Sequence, residues 1–184
     1  DSLAYGRVLG RPGPPHGTEW LRGAVVRLPR ISNATDAEAL AAEPGVRVRL
    51  TIEPAEIAEA DLVVLPGSKA TVSDLAWLRE TGLADAVQQH AAAGKPLLGL
   101  CGGFQMLAET IHDEVESRRG TVAGLGLLPV GITFGPRKIL AQAAGSGLGA
   151  PVTGYEIHHG FVSSGAVDPL LRYDGGRPEG AVAG

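Results

Sequence analysis

Aromatic residues make up only 4% of this 184-residue sequence, which has one methionine and one cysteine, Cys101. A single thiol excludes an internal disulfide framework and any structural zinc site built on several thiolates. No apolar run reaches the ~18 residues that a transmembrane helix needs. The first residues, Asp1-Ser-Leu-Ala-Tyr-Gly6, lack the basic-then-apolar order of a secretory signal. A basic surplus is missing as well: 16 Lys+Arg stand against 20 Asp+Glu, a net charge of −4. That balance argues against a nucleic-acid partner. The expectation is a soluble, cytoplasmic protein with neither nucleic acid nor membrane as partner, whose one thiol needs a reason. At 18.9 kDa the chain has the size of one ordinary domain, enough to hide roughly 70% of its unfolded surface.

Residues 1–22 hold Gly10, Pro12, Gly13, Pro14, Pro15 and Gly17 and read as a linker or domain edge, leaving 23–184 as the domain. Gly23–Leu28 reads as a buried strand, Thr35 or Asp36 opens a short helix, and Val46–Leu50 alternates as a half-wet strand. Asp61–Leu65 is a continuous apolar strand ending in Pro66-Gly67-Ser68. The spacing of Leu75, Leu78, Leu83 and Val87 predicts one helix from Ser73 to about Ala92. Leu97–Leu100 is a further buried strand, and Phe104 to about Asp113 is expected to be helical. Short strands are expected over Thr121–Phe134, Ile139–Gln142 and Val152–Val162. Strands alternating with helices imply βαβ units and an α/β, flavodoxin-like sheet, parallel or mixed, flanked by helices.

Cys101 lies in Gly99-Leu-Cys-Gly-Gly103, after a buried strand and before a helix. This is the pattern of a nucleophile elbow, where small neighbours permit a sharp turn that lifts the side chain above the sheet edge. A helix N-terminus beside the sulfur favours the thiolate. The Gly102 N–H can face an oxyanion formed next to the sulfur. Pro66-Gly67-Ser68 reaches the same carboxyl edge of a parallel sheet, so a Gly67 or Ser68 amide can supply a second donor.

Pro66-Gly-Ser-Lys69 followed by Gly99-Leu-Cys-Gly-Gly-Phe-Gln105 resembles the triad (class I) glutamine amidotransferases. Leu65–Leu78, Gly154-Tyr-Glu-Ile-His-His-Gly160 and Arg30-Ile-Ser-Asn-Ala-Thr-Asp36 are similar to the cobyric acid synthase branch of that family. The resemblance covers the chain from about residue 22 and implies the class I amidotransferase fold. It implies L-glutamine hydrolysis through a Cys101 thioester, with Gly102 and Gly67 amides as the oxyanion hole and Gln105 and Ser68 on the substrate side. It further implies that the ammonia serves an N-terminal synthase domain of the same polypeptide, which amidates corrin-ring carboxylates in cobalamin synthesis. That domain, not this one, is where ATP and Mg are expected. Alternatives are a related amidotransferase, of the cobyrinate a,c-diamide synthase or lipid II amidation type, or a catalytically silent binding domain.

The chemistry needs a base, normally histidine. His16 falls in the linker, His90 near a helix end where a cation suits the dipole, and His112 at the far end of the elbow helix. Strand alternation puts Glu156 and His158 on one face, which makes His158 the alternative base within the chain. The resemblance instead implies a histidine in a later His-Gly motif, beyond a segment like Glu179–Gly184, and so a domain truncated at its C-terminus. Gly67-Ser-Lys69 lacks the spacing of a phosphate loop, and Asn33-Ala-Thr35 carries no meaning as a glycosylation acceptor without a secretory signal. Arg22, Arg27, Arg30, Arg47 and Arg49 read as a solvated face, or as a surface for the synthase domain. Asp61, Asp74 and Glu80 read as ordinary surface carboxylates, with no metal expected.

Overall fold

A computed structural model describes residues 21–32, 35–165 and 167–184 of the chain. Most of the expected linker, His16 among it, and Asn33 lie outside the described residues. The chain divides into two compact units, 1–106 and 107–184.

The first unit is built on a parallel sheet of β1 (Leu21–Val26), β2 (Val46–Thr51), β3 (Leu62–Leu65) and β4 (Leu97–Gly99), in the order β2-β1-β3-β4. The order reverses between β1 and β3, which is the topological switch of a flavodoxin-like sheet. Parallel strands are buried on both faces, and the inner strands are apolar where they are covered, at 23–26 in β1 and over all of β3, whereas the edge strand β2 carries Arg47 and Arg49. Val25 and Val64 point to one side, where helix α1 (Thr35–Ala41) covers them with Ala37, Leu40 and Ala41. Val26, Val63 and Leu65 point to the other and are wholly buried. Helices α2 (Pro54–Glu59), α3 (Thr71–Glu80) and α4 (Leu83–Ala92) contribute buried Ile57, Leu75, Leu78, Leu83 and Val87.

Two expectations fail here. The single helix over 73–92 is two, because Gly82 takes φ +75° and ends α3 in a left-handed turn. Arg22, Arg27, Arg30 and Arg49 are exposed, as the expected solvated face requires, and two of them pair with carboxylates there. Arg22 grips Asp61 through its backbone N–H (2.9 Å), Nε (3.1 Å) and Nη2 (2.9 Å), and that guanidinium holds the Asp61 carboxyl down at about 2. Arg49 pairs with Glu56. Asp74 is the second exception: it is no surface carboxylate but fully buried.

Helix α5 (Gly102–Leu107) leads into the second unit and ends far sooner than the residue pattern suggests. Ala108–Asp113 is a strand, β5, parallel to β7 (Leu128–Gly147) and antiparallel to β6 (Gly120–Ala123). The β-branched pair Thr110-Ile111 finds ladder partners on both sides, and this pairing overrides the helical spacing. His112 therefore sits on a strand, its Nδ1 3.0 Å from Thr121 Oγ1 across the pair. The expected short strands at 139–142 and 152–162 are parts of one long hairpin of β7 with β8 (Ala150–Ser164). It turns at Leu148 (φ +53°) and Gly149 (φ +79°), both left-handed as a two-residue hairpin turn requires. On one face of this ribbon Leu140 and Ile157 pair across the strands beside Tyr155, all three exposed. Strand β9 (Leu171–Tyr173) adds to β7, and β10 (Pro178–Glu179) to β9.

Candidate active site

The register Leu65↔Gly99 ends β3 and β4 side by side, so the two following loops leave the sheet together. Leu100 donates its N–H to Leu65 O at 2.9 Å, the last rung before the chain turns. Cys101 then adopts φ +50°, a left-handed conformation that costs a β-carbon-bearing residue roughly 1–2 kcal/mol. Its exposed side chain stands at the carboxyl edge of the sheet. The strain is imposed from both sides: Gly103 N–H bonds Leu100 O at 2.8 Å, and Gln105 N–H bonds Cys101 O at 3.1 Å.

The glycines are required by distance. A Cβ on Gly103 would overlap Leu65 O and come within 2.8 Å of Pro66 O. One on Gly102 would sit 2.8 Å from Ser68 N, and one on Gly67 would strike Ser32 Oγ and reach within 3.6 Å of Cys101 Cβ. Cys101, Gly102, Gly67 and Ser68 are thus brought together.

The loop itself is held in a defined orientation. Ser32 N–H donates to Gly67 O at 2.8 Å, and Lys69 N–H to Arg30 O at 2.8 Å, forming an isolated antiparallel bridge at Ile31↔Ser68. In a planar trans peptide, pinning Gly67 O toward Ser32 sends the Ser68 N–H the opposite way. Among the described residues no acceptor takes the N–H of Gly67, Ser68 or Gly102. The Ser68 hydroxyl is engaged, donating to Asp74 Oδ2 of α3 (2.7 Å) and accepting from Ala70 N–H in its own loop (2.9 Å). This does not make a phosphate cradle of Gly67-Ser-Lys69.

Gln105 is buried, and its Oε1 accepts from Thr71 Oγ1 of α3 at 3.0 Å. That bond fixes its amide one helical turn from the thiol. Residue patterns did not single out Thr71 and gave Asp74 only as a surface carboxylate: each acts through a partner more than five positions away, beyond the reach of helical or strand periodicity. His90 is buried, its Nε2 2.9 Å from Pro96 O, and ties α4 to the entry of β4 rather than offering a cation to solvent.

His158 belongs to the second unit. The expected Glu156–His158 pair forms, with His158 Nε2 3.1 Å from Glu156 Oε1. Glu156 is also clamped by Arg177, whose Nη1 donates to Oε1 (3.0 Å) and Nη2 to Oε2 (2.5 Å). Arg177 in turn lies 4.3 Å above the Tyr173 ring. Arg177, 21 residues from Glu156, carried no sequence signal. Its guanidinium bonds, ahead of the smaller help from His158, hold the Glu156 carboxyl below the usual carboxylate range. A depressed carboxyl stabilises the fold above its unfolded pKa, and that contribution is lost as pH falls through the folded value. Arg177→Met should therefore lower stability by about 1–2 kcal/mol at pH 7, less than for a fully buried pair because the guanidinium is half exposed. Thermal melts of the variant and the unmodified protein should converge as the pH is lowered through the depressed titration range of Glu156. A penalty independent of pH would show that Arg177 acts by packing alone. Among the described residues no group of three or more His, Cys, Asp or Glu side chains is placed to hold a metal ion, and no helix is long and apolar enough to cross a membrane.

Comparison with known proteins bears on the family and the fold of the chain. The model of the CobB/CobQ-like glutamine amidotransferase domain matches residues 23–184. The cobyric acid synthase of Rhodococcus jostii is 57% identical over 176 residues, 96% of this chain and 34% of that protein. That of Saccharopolyspora erythraea is 57% identical over 188 residues, 100% of this chain and 36% of that protein. The chain spans about a third of the length of these curated relatives. A solved glutamine amidotransferase superposes with a TM-score of 0.65 at 20% identity, over 86% of this chain and 82% of that one. PurLQS from Thermotoga maritima does so at 0.62 and 20%, over 85% and 75%. At that identity the likeness speaks for the α/β fold.

Proposed function

Because this chain belongs to the CobB/CobQ-like glutamine amidotransferase domain family, we propose that it hydrolyses L-glutamine at Cys101 and supplies ammonia to a synthase domain of the same polypeptide. In this reading the whole is a cobyric acid synthase, and the ammonia amidates corrin carboxylates in cobalamin biosynthesis. ATP and Mg belong to the synthase domain, and no residue here is assigned to them. The observation that carries the reading is Cys101 at φ +50° on a strand-to-helix turn, an exposed thiol held in a conformation that lowers stability. A silent scaffold has no use for that cost.

The sulfur attacks the side-chain amide carbon of glutamine, and the carbonyl becomes an oxyanion. Gly102 and Ser68 N–H groups receive it, and Gly67 must lack a Cβ because Ser32 Oγ fills the space one would take. Collapse breaks the C–N bond, the nitrogen leaves as ammonia with an added proton, and water then cleaves the thioester to glutamate. Gln105, fixed by Thr71, lies on the substrate side. The Glu156–His158 hydrogen bond favours a second reading for the base, in which His158 moves these protons.

The test uses the full-length protein and a glutamine-analogue electrophile. One label per chain is expected, on Cys101, suppressed by L-glutamine. Labelling elsewhere, or labelling indifferent to glutamine, would sink the reading. Loss of turnover in His158→Ala with labelling intact would give the base role to His158.

A further inference from the structure

Asp74 is fully buried in the first turn of α3, yet nothing in the glutamine chemistry above uses it. Its Oδ2 accepts from Ser68 Oγ at 2.7 Å and from the Arg30 backbone N–H at 3.2 Å. These two donors sit on opposite strands of the Ile31↔Ser68 bridge. One oxygen atom therefore ties together both halves of the loop that presents the Ser68 amide. The other oxygen, Oδ1, has no hydrogen-bond partner among the described residues; Arg30 Nη1 stands 3.7 Å from it. A buried carboxylate with one oxygen unsatisfied is a poor way to stabilise a helix start. Placed directly behind the loop beside Cys101, it suits a different task.

We propose that Asp74 is a positioning residue for glutamine hydrolysis: by holding Ser68 Oγ and Arg30 N–H together it fixes the Gly67–Ser68 peptide so that the Ser68 N–H faces the oxyanion. The inference rests on the glutaminase reading given above. The chain of causes is short. Asp74 Oδ2 locks the Ser68 side chain, and Ser68 Oγ accepts Ala70 N–H, closing the loop's far end. Ser32 N–H holds Gly67 O, which in a planar trans peptide turns the Ser68 N–H to the opposite side. Without Oδ2 the Gly67–Ser68 peptide loses one of its two anchors and can rotate. A rotated peptide presents a carbonyl oxygen, or nothing, to the developing negative charge. Such a defect weakens transition-state binding and leaves ground-state glutamine binding nearly intact.

The experiment measures glutamate release by the full-length protein and its Asp74→Ala, Asp74→Asn and Ser68→Ala variants. Iodoacetamide alkylation of Cys101 is measured in parallel, since that displacement forms no oxyanion. Asp74→Ala should lower kcat about 10- to 100-fold, with KM within about threefold and the alkylation rate unchanged, because removing an oxyanion donor outright costs about 10²–10³. Asp74→Asn keeps an acceptor oxygen for both donors and should stay within about fivefold of the unmodified enzyme. Should Asp74→Ala not fold, Ser68→Ala carries the test, with a kcat loss expected at unchanged alkylation. A kcat within twofold in whichever alanine variants fold overturns the proposal, and so does a loss of alkylation parallel to kcat, which marks collapse of the elbow. Cys101→Ala run alongside separates the two claims. If the unmodified enzyme turns over glutamine and Cys101→Ala does not, a failure at Asp74 is Asp74's own; otherwise both readings fall together.

Discussion

Cys101→Ala is expected to remove glutamine hydrolysis from the full-length protein, by about four orders of magnitude or more, without lowering its melting temperature. Alanine keeps the Cβ and hence the same left-handed strain at φ +50°, so the fold has no reason to change. Cys101→Gly sharpens the prediction. It should be equally inactive yet more stable than the alanine variant by roughly 1 kcal/mol, since glycine occupies that conformation without the Cβ penalty. Ammonia release and thermal melts on the two variants measure both halves. Residual turnover near the unmodified rate would remove Cys101 from the role of nucleophile, and equal melting of the two variants would show the elbow unstrained.

The second large effect separates two adjacent glycines. Gly103→Ala forces a methyl group onto Leu65 O, in the backbone of β3, and within 2.5 Å of Leu65 C. Neither atom can yield without breaking the β3–β4 ladder, which carries Val63↔Leu97 through Leu65↔Gly99. A loss of about 3 kcal/mol or more is expected, enough to unfold many domains. Gly102→Ala meets Ser68 N at 2.8 Å and Ser68 Cβ at 3.0 Å, a loop rather than a strand interior. It should cost less stability but place its methyl group where the oxyanion belongs, lowering kcat about 10²-fold. Chemical denaturation and glutamine kinetics on the pair decide the matter. Equal stability losses would mean the elbow does not press on β3 as described.

The elbow was legible because its determinants are local: a strand, then Gly99, Cys101, Gly102 and Gly103 within five positions. The parallel sheet was legible too, since strands buried on both faces leave unbroken apolar runs such as Leu62–Leu65. Elsewhere the determinants were distant. Thr81-Gly82 breaks a helical pattern whose apolar spacing continues across it, so Leu75 through Val87 read as one face. Ala108–Asp113 turns into a strand only because β6 and β7 lie on either side of it. The β7–β8 hairpin was cut into short pieces by glycines, whereas its length comes from a register running from Gly131↔Ser164 to Gly147↔Ala150. Asp74 and Glu156 show the same limit at the level of single side chains. Nothing next to Asp74 in sequence foretells that Ser68 and Arg30 converge on it, and nothing near Glu156 foretells Arg177.

The solitary thiol has a practical consequence at the bench. Within these 184 residues a maleimide fluorophore or nitroxide can attach at one atom only, Cys101 Sγ, and that atom is exposed. Most proteins must be stripped of competing cysteines before such a probe reports on one place. Here, unmodified sequence already confines the signal to the turn between β4 and α5, so its spectrum reads the mobility of that turn directly.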